Sequence, residues 1–215
     1  MQITIYIVSK NIDRLVVILE YMKRVGMNGI ILASGFSTRM GKNKLLMKID
    51  EEEIIRRVIR IIKGSKIKNI ILIAREKEVI EIGKEEEIIV VKNNKADLGQ
   101  SSSIHIGLEN SNLEENFMFF CGDQPFIDID SINKLVKLSY ENKEKIIVPK
   151  VREKTGSPVV FPNSFYNDLM LLSGDIGGRK IIKNNKDKVM YAELNNNLFL
   201  EDIDTTEDYI KLLSL

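Results

Sequence analysis

From Asn28 onward, short apolar runs alternate with amphipathic segments, and few folds accept that pattern. GIILA (29–33) is brief and continuously apolar, as a strand buried on both faces must be. In EEEIIRRVIRIIKG, Ile54, Ile55, Val58, Ile59 and Ile62 recur at helical spacing, and Gly64 supplies the stop. IKNIILIAR and EIIVVKN read as two further strands, joined by the charged, helix-like EKEVIEIGKEE. NFMFFCGDQPF carries a strand ending near Cys121, and DIDSINKLVKLSYENKE predicts a helix capped by Asp130 or Ser131. KIIVPK and SPVVF predict strands, whereas SFYNDLMLLSG and GGRKIIKNN predict helices. In DIDTTEDYIKLL, Thr205 and Asp208 stand at capping-box spacing, with Asp in place of the usual Glu. Strands alternating with helices imply an α/β fold of three layers, a mostly parallel mixed sheet covered on both faces.

At 215 residues the chain suits one domain, or one domain with a small appendage. Lys and Arg number 32 against 31 Asp and Glu, so no global field favours nucleic acid or a membrane, and any basic preference must be local. One cysteine, Cys121, excludes an intrachain disulfide, and one histidine, His105, excludes a His-rich metal site. Both are expected to be structural. Residues 1–26 hold two apolar stretches divided by Lys10, Asp13 and Arg14, and neither reaches the ~18 residues that a span needs. With no basic start or small-residue cleavage site, they do not read as a secretory signal, and a cytoplasmic location is expected. The expected organisation is an N-terminal extension, 1–26, followed by one domain, 27–215.

After the first strand comes LASGFSTRMGKNK (32–44), with two glycines, three hydroxyls, three cations and no acid. In open α/β sheets, ligands bind beyond the carboxyl ends of strands, where this loop falls. Glycines admit a close approach of backbone amides to phosphate oxygens, and Arg39, Lys42 and Lys44 add full charges. The loop is not a P-loop, because five residues separate Gly35 from Gly41 and Lys42 precedes Asn43. Nor does it contain the dinucleotide pattern G-x-G-x-x-G.

Leu32, Ala33, Gly35, Ser37, Arg39, Met40, Gly41 and Lys44 match the signature L-A-x-G-x-S-x-R-M-G-x-x-K in full. The loop thereby resembles that of the nucleotidyltransferases acting on the molybdenum cofactor, which have a Rossmann-like nucleotide-diphosphate-sugar transferase fold. Ser34, in L-A-S-G, is closer in size to the Ala of the cytidylating branch than to the Gly of the guanylating one, and a side chain there would leave less room for a purine. The Gly99 and Ser101–Ser103 run, Gly122-Asp123-Gln124-Pro125, GSPVVF and LSGDIGGR also resemble the cytidylating branch. The resemblance extends from about Gly29 to Tyr209 and leaves 1–26 outside it.

That resemblance implies transfer of CMP from CTP to the terminal phosphate of molybdopterin, releasing pyrophosphate, for a molybdenum hydroxylase. A phosphate monoester is largely dianionic at neutral pH, its second pKa being about 6, so no general base is required. Catalysis then rests on positioning, metal and cations. The implied Mg²⁺ ligands are Asp123 and Asp204, with Asp202 possible. Arg39 and Lys44 are expected to hold the β- and γ-phosphates and to stabilise charge as pyrophosphate leaves; with Asp123 they are the expected catalytic residues. Leu32, Ala33, Ser34, Gly35, Ser37 and Gly41 form the rest of the expected nucleotide loop, and Gln100, Ser101 and Ser102 border the base and ribose. Asp175, Gly177 and Arg179 are candidates for the pterin side. The alternatives are guanylyl transfer to the same cofactor and a nucleotide- or cofactor-binding chaperone without turnover.

Overall fold

The computed structural model describes residues 25–36 and 43–213. Residues 1–24 of the extension, and Ser37, Arg39, Gly41 and Lys42 of the loop, lie outside the described residues. The first strand begins at Val25, so the sheet includes the last two residues assigned to the extension.

Strand β1 (Val25–Ala33) is followed by a two-residue hairpin, β2 (Lys48–Ile49) and β3 (Glu52–Glu53), and by helix α1 (Ile54–Gly64). Then come β4 (Ile67–Ala74), α2 (Lys77–Glu85), β5 (Ile89–Lys92), α3 (Gln100–Glu109), β6 (Asn116–Cys121) and α4 (Ile129–Glu141). The remaining elements are β7 (Ile146–Val151), β8 (Lys154–Thr155), β9 (Val159–Phe161), α5 (Tyr166–Met170), α6 (Arg179–Asn184), β10 (Val189–Glu193) and α7 (Thr206–Leu213). The main sheet runs in the order β10-β7-β9-β6-β1-β4-β5, with β8 paired to β7. Pairs β5–β4, β4–β1, β1–β6 and β7–β10 are parallel, and β9 lies antiparallel between β6 and β7. The expected mostly parallel mixed sheet is therefore present.

Alternation along each central strand assigns the two cores. Ile31, Leu72 and Phe120 face α1, α2 and α4, whereas Ile30, Ile71, Ile73 and Phe119 face α3, α5 and α6. Because both faces are covered, these strands read as unbroken apolar runs. All five predicted apolar residues of α1 are buried. Phe119 and Phe161 meet edge to face, their ring centroids 6.0 Å apart, and fasten β9 against β6.

Two helix starts and one strand show how local chemistry operates. Asp128, rather than Asp130 or Ser131, caps α4, its Oδ1 accepting from the Ser131 amide at 2.7 Å. The reason lies outside the helix: Asn196 Nδ2 donates to the other Asp128 oxygen at 2.8 Å and holds the carboxylate in place. The Thr205–Asp208 box forms as the spacing predicts, with Asp208 N donating to Thr205 Oγ1 and Thr205 N donating to Asp208 Oδ2. Strand β10 is an edge strand that the apolar pattern did not reveal, since most of its side chains stay accessible.

Candidate active site

The C-terminal ends of β1 and β6 lie side by side, and the Gly122 amide donates to the Leu32 carbonyl at 3.1 Å. Beyond them opens a cavity of about 430 Å³ whose lining includes Leu32, Ala33, Gly35, Lys44, Asp123, Asp175 and Asp204. Seven of the residues singled out in the sequence are thus assembled from four separate stretches of chain.

Lys44 opens a single turn of 3-10 helix, Lys44–Leu46. Asn43 caps that turn by accepting from the Leu45 amide at 3.1 Å, and buried Leu45 pins it to the core. Asp123 sits just past β6. The 202–204 segment reaches it because the buried Ile203 donates its amide to the Asp123 carbonyl at 3.2 Å. Ile203 packs with Ile49 and Ile54, and the Tyr209 hydroxyl donates to the Lys48 carbonyl, so the start of α7 is tied to the β2–β3 hairpin.

The outcome is a three-residue charge cluster. Lys44 Nζ lies 2.6 Å from Asp123 Oδ2 and 2.7 Å from Asp204 Oδ1. Burial alone would lower the Lys44 pKa, but the charge and hydrogen bond of Asp123, joined by Asp204, raise it above its ordinary value. Asp202 faces the same cluster, and among the described residues it makes no salt bridge. Its burial, and then the charges of Asp123 and Asp204, push its carboxyl above the usual range. Cys121, the last residue of β6, is pushed up to about 12 by burial and by Asp123, which keeps it a thiol.

Two carboxylate oxygens that share one ammonium are aimed at a common point and can share a divalent cation. Mg²⁺ commonly takes one or two carboxylates and completes its shell with phosphate and water. Asp123 and Asp204 fit that role. Among the described residues no set of three or more His, Cys, Asp or Glu side chains forms a metal cage, so such an ion depends on ligands brought by the substrate.

Other expected residues fall elsewhere. Ser34 is buried and its hydroxyl donates to the Ile73 carbonyl at 3.1 Å, so it braces β1 against β4 and does not narrow the cavity against a purine. Ser101 and Ser102 are buried at the start of α3, where the Ser102 hydroxyl donates to the Gly99 carbonyl and accepts from Asn93 Nδ2. These bonds of Ser102 brace the helix start, and no side chain caps it. Gln100, Gly177 and Arg179 line a second cavity of about 940 Å³ that also includes Leu32, Cys121 and Asp175. Gln100 therefore stands with the residues assigned to the pterin side. Asp175 and Leu32 line both cavities.

Two residues escaped the sequence reading. Phe36, half exposed, lines the smaller cavity with the Arg75 guanidinium 4.0 Å from its ring centroid. The sequence signal was a solitary aromatic inside a polar loop. Asn93 carried no signal at all, because it acts by holding Ser102 and Ser103 together, each at 3.0 Å.

The sequence profile of the MobA-like NTP transferase domain matches residues 29–189. The chain belongs to this family. It is accordingly a nucleotidyltransferase. Over 193 residues it is 26% identical to the purine catabolism protein PucB of Bacillus subtilis, a match covering 84% of this chain and 93% of that protein. A probable molybdenum cofactor guanylyltransferase of Natranaerobius thermophilus is 30% identical over 126 residues, covering 58% of this chain and 60% of the relative. The crystal structure of Rv0371c from Mycobacterium tuberculosis shares the transferase's fold, with a TM-score of 0.76 and 19% identity over 89% of this chain and 100% of that one. The same mycobacterial protein has also been solved in complex with manganese, at a TM-score of 0.71, 18% identity, and coverage of 88% of this chain and 99% of that one.

Proposed function

We propose that the protein transfers a nucleoside monophosphate from a nucleoside triphosphate to the terminal phosphate of molybdopterin, with CTP as donor. The observation that carries this reading is the convergence of Lys44, Asp123 and Asp204 at the C-terminal edge of β1 and β6. The triphosphate lies in the smaller cavity, and the acceptor enters from the larger one, where Asp175 and Arg179 stand. CTP as donor rests on the cytidylating features of Gly99–Ser103, Gly122–Pro125 and the 172–179 loop. GTP is the second reading. It is favoured by the guanylyltransferase relative and by Ser34, whose side chain is turned into the β1–β4 edge.

Asp123 and Asp204 would hold the divalent ion, Mg²⁺ in the first instance; Asp123 lines the smaller cavity, and Cys121, two residues before it, lines the larger. When bound, the ion neutralises phosphate oxygens and stabilises charge on the departing pyrophosphate. Lys44, with Arg39, draws the β- and γ-phosphates toward the loop and away from the α-phosphate. The Gly35 end of the loop leaves space for them, since a Cβ built there meets nothing within 4 Å. No side chain needs to remove a proton, because the attacking phosphate is already ionised. The product is then passed to a molybdenum hydroxylase.

The test is pyrophosphate release from CTP, GTP, ATP and UTP in the presence of molybdopterin and Mg²⁺. CTP should be turned over fastest, and Asp123→Asn should lower the rate by at least ~100-fold while leaving the protein folded. Preference for GTP would move the assignment to the guanylating branch. An unchanged rate in Asp123→Asn would remove the metal site from this position.

A further inference from the structure

We infer that the Lys44 ammonium is a built-in stand-in for the divalent cation, so that Asp123 and Asp204 accept a metal only when a nucleotide draws Lys44 away. The inference rests on the transferase reading above, and concerns how that site is filled.

At 2.6 and 2.7 Å, both contacts are at the short end for charge-assisted hydrogen bonds, so the ammonium fully occupies the space between the two oxygens. A Mg²⁺ or Mn²⁺ ion shared by those oxygens would need the same space. Ammonium and metal are therefore competitors there. Emptying the position without replacing the charge would remove the cation that Asp123 and Asp204 share, with Asp202 nearby to add to the repulsion. Without nucleotide, a metal must displace the tethered ammonium, and the described residues offer no cage of three or more ligands to offset that cost.

A triphosphate changes both sides of the exchange. Its oxygens supply the missing ligands, and they also give the ammonium another anion to bind. The Lys44 backbone is held by the capped turn and by Leu45, whereas its four-carbon stem ends at the open cavity of about 430 Å³ that receives the phosphates. The nitrogen can thus transfer from carboxylate to phosphate by rotating about side-chain bonds. Metal and nucleotide then tighten each other's binding by the same factor, as linkage requires. A free metal ion does not lodge at the carboxylates ahead of substrate.

The experiment is a titration with Mn²⁺, with the free ion followed by its electron paramagnetic resonance signal. It uses the wild type, Lys44→Met, Lys44→Arg and Asp123→Asn, each with and without CTP or GTP. Without nucleotide, Lys44→Met should bind Mn²⁺ at least about tenfold tighter than the wild type, because the competing charge is gone. Lys44→Arg keeps the charge and should stay within about threefold of the wild type. Asp123→Asn should bind poorly in either background. Adding nucleotide should tighten Mn²⁺ binding strongly in the wild type and much less in Lys44→Met. If Lys44→Met fails to fold, Lys44→Gln serves the same arm. Nucleotide-free Mn²⁺ binding no tighter in the Met or Gln variant than in the wild type overturns the inference. That arm decides it alone. If no nucleotide binds with or without Mn²⁺, the transferase reading of the site fails instead, and the two failures are distinguishable.

Discussion

Asp128 shows how much one carboxylate can organise. It caps α4 through the Ser131 amide and accepts from Asn196, which also donates to the Phe126 carbonyl at 2.9 Å. Asp128→Ala should cost about 1–2 kcal/mol in a denaturant melt at pH 7. Burial would raise this carboxyl, but the hydrogen bonds from Ser131 and Asn196 outweigh it and hold it below the ordinary 3.8. A depressed native pKa stabilises the fold fully above the unfolded value and loses that contribution as the pH falls through the native one. The gap between wild type and Asp128→Ala should therefore be constant near neutrality and shrink below about pH 4. A gap that widens on acidification would mean that the charge is not what makes the cap. The residue scale also limits legibility. Asp128, Asp130 and Ser131 all suit a cap by type, and the choice among them was made by Asn196, far away in the chain.

Among the elements, the start of α3 and the 174–178 loop are fitted to each other. Gly99 has φ +87° and ψ −173°, a region that side chains avoid, and a Cβ there would stand 2.5 Å from the backbone of Gly174 and Asp175. The Ser101 amide donates to the Gly174 carbonyl at 3.2 Å across this contact. Gly99→Ala should therefore destabilise by at least ~2 kcal/mol. It should also weaken acceptor binding more than nucleotide binding, since Asp175, Gly177 and Arg179 hang on that loop. Gly35→Ala, in open space, is the control for stability and should change it little. Equal melts for the two variants would refute the close approach. The glycines were visible in the sequence, but nothing there showed that two loops some seventy residues apart press together.

Across the described residues, two cores lie on either side of one sheet. The Tyr140 hydroxyl donates to the Gly26 carbonyl at 2.5 Å, which ties the first strand's entry to α4. Removal of residues 1–24 should then leave nucleotide affinity within about threefold of the full chain, measured by calorimetry; each threefold change is only about 0.7 kcal/mol. A truncated protein that folds and no longer binds nucleotide would give the extension a part in the site. Among the described residues, no helix is long and apolar enough to cross a membrane.

The sequence by itself determined the layered α/β architecture, because Ile30–Ile31 and Phe119–Phe120 must bury neighbouring side chains on opposite faces. It also determined the helical face of α1 and the 205–208 box, both of which depend only on residues a turn apart. The tertiary structure decided what depends on distant segments meeting. It inserted β9 antiparallel between β6 and β7, turned Ser34 toward Ile73, moved Gln100 to the second cavity, and brought Asp204 to Lys44. That last encounter spans 160 positions of chain. It is fixed by a buried isoleucine at 203 and one backbone hydrogen bond to Asp123, which no local pattern encodes.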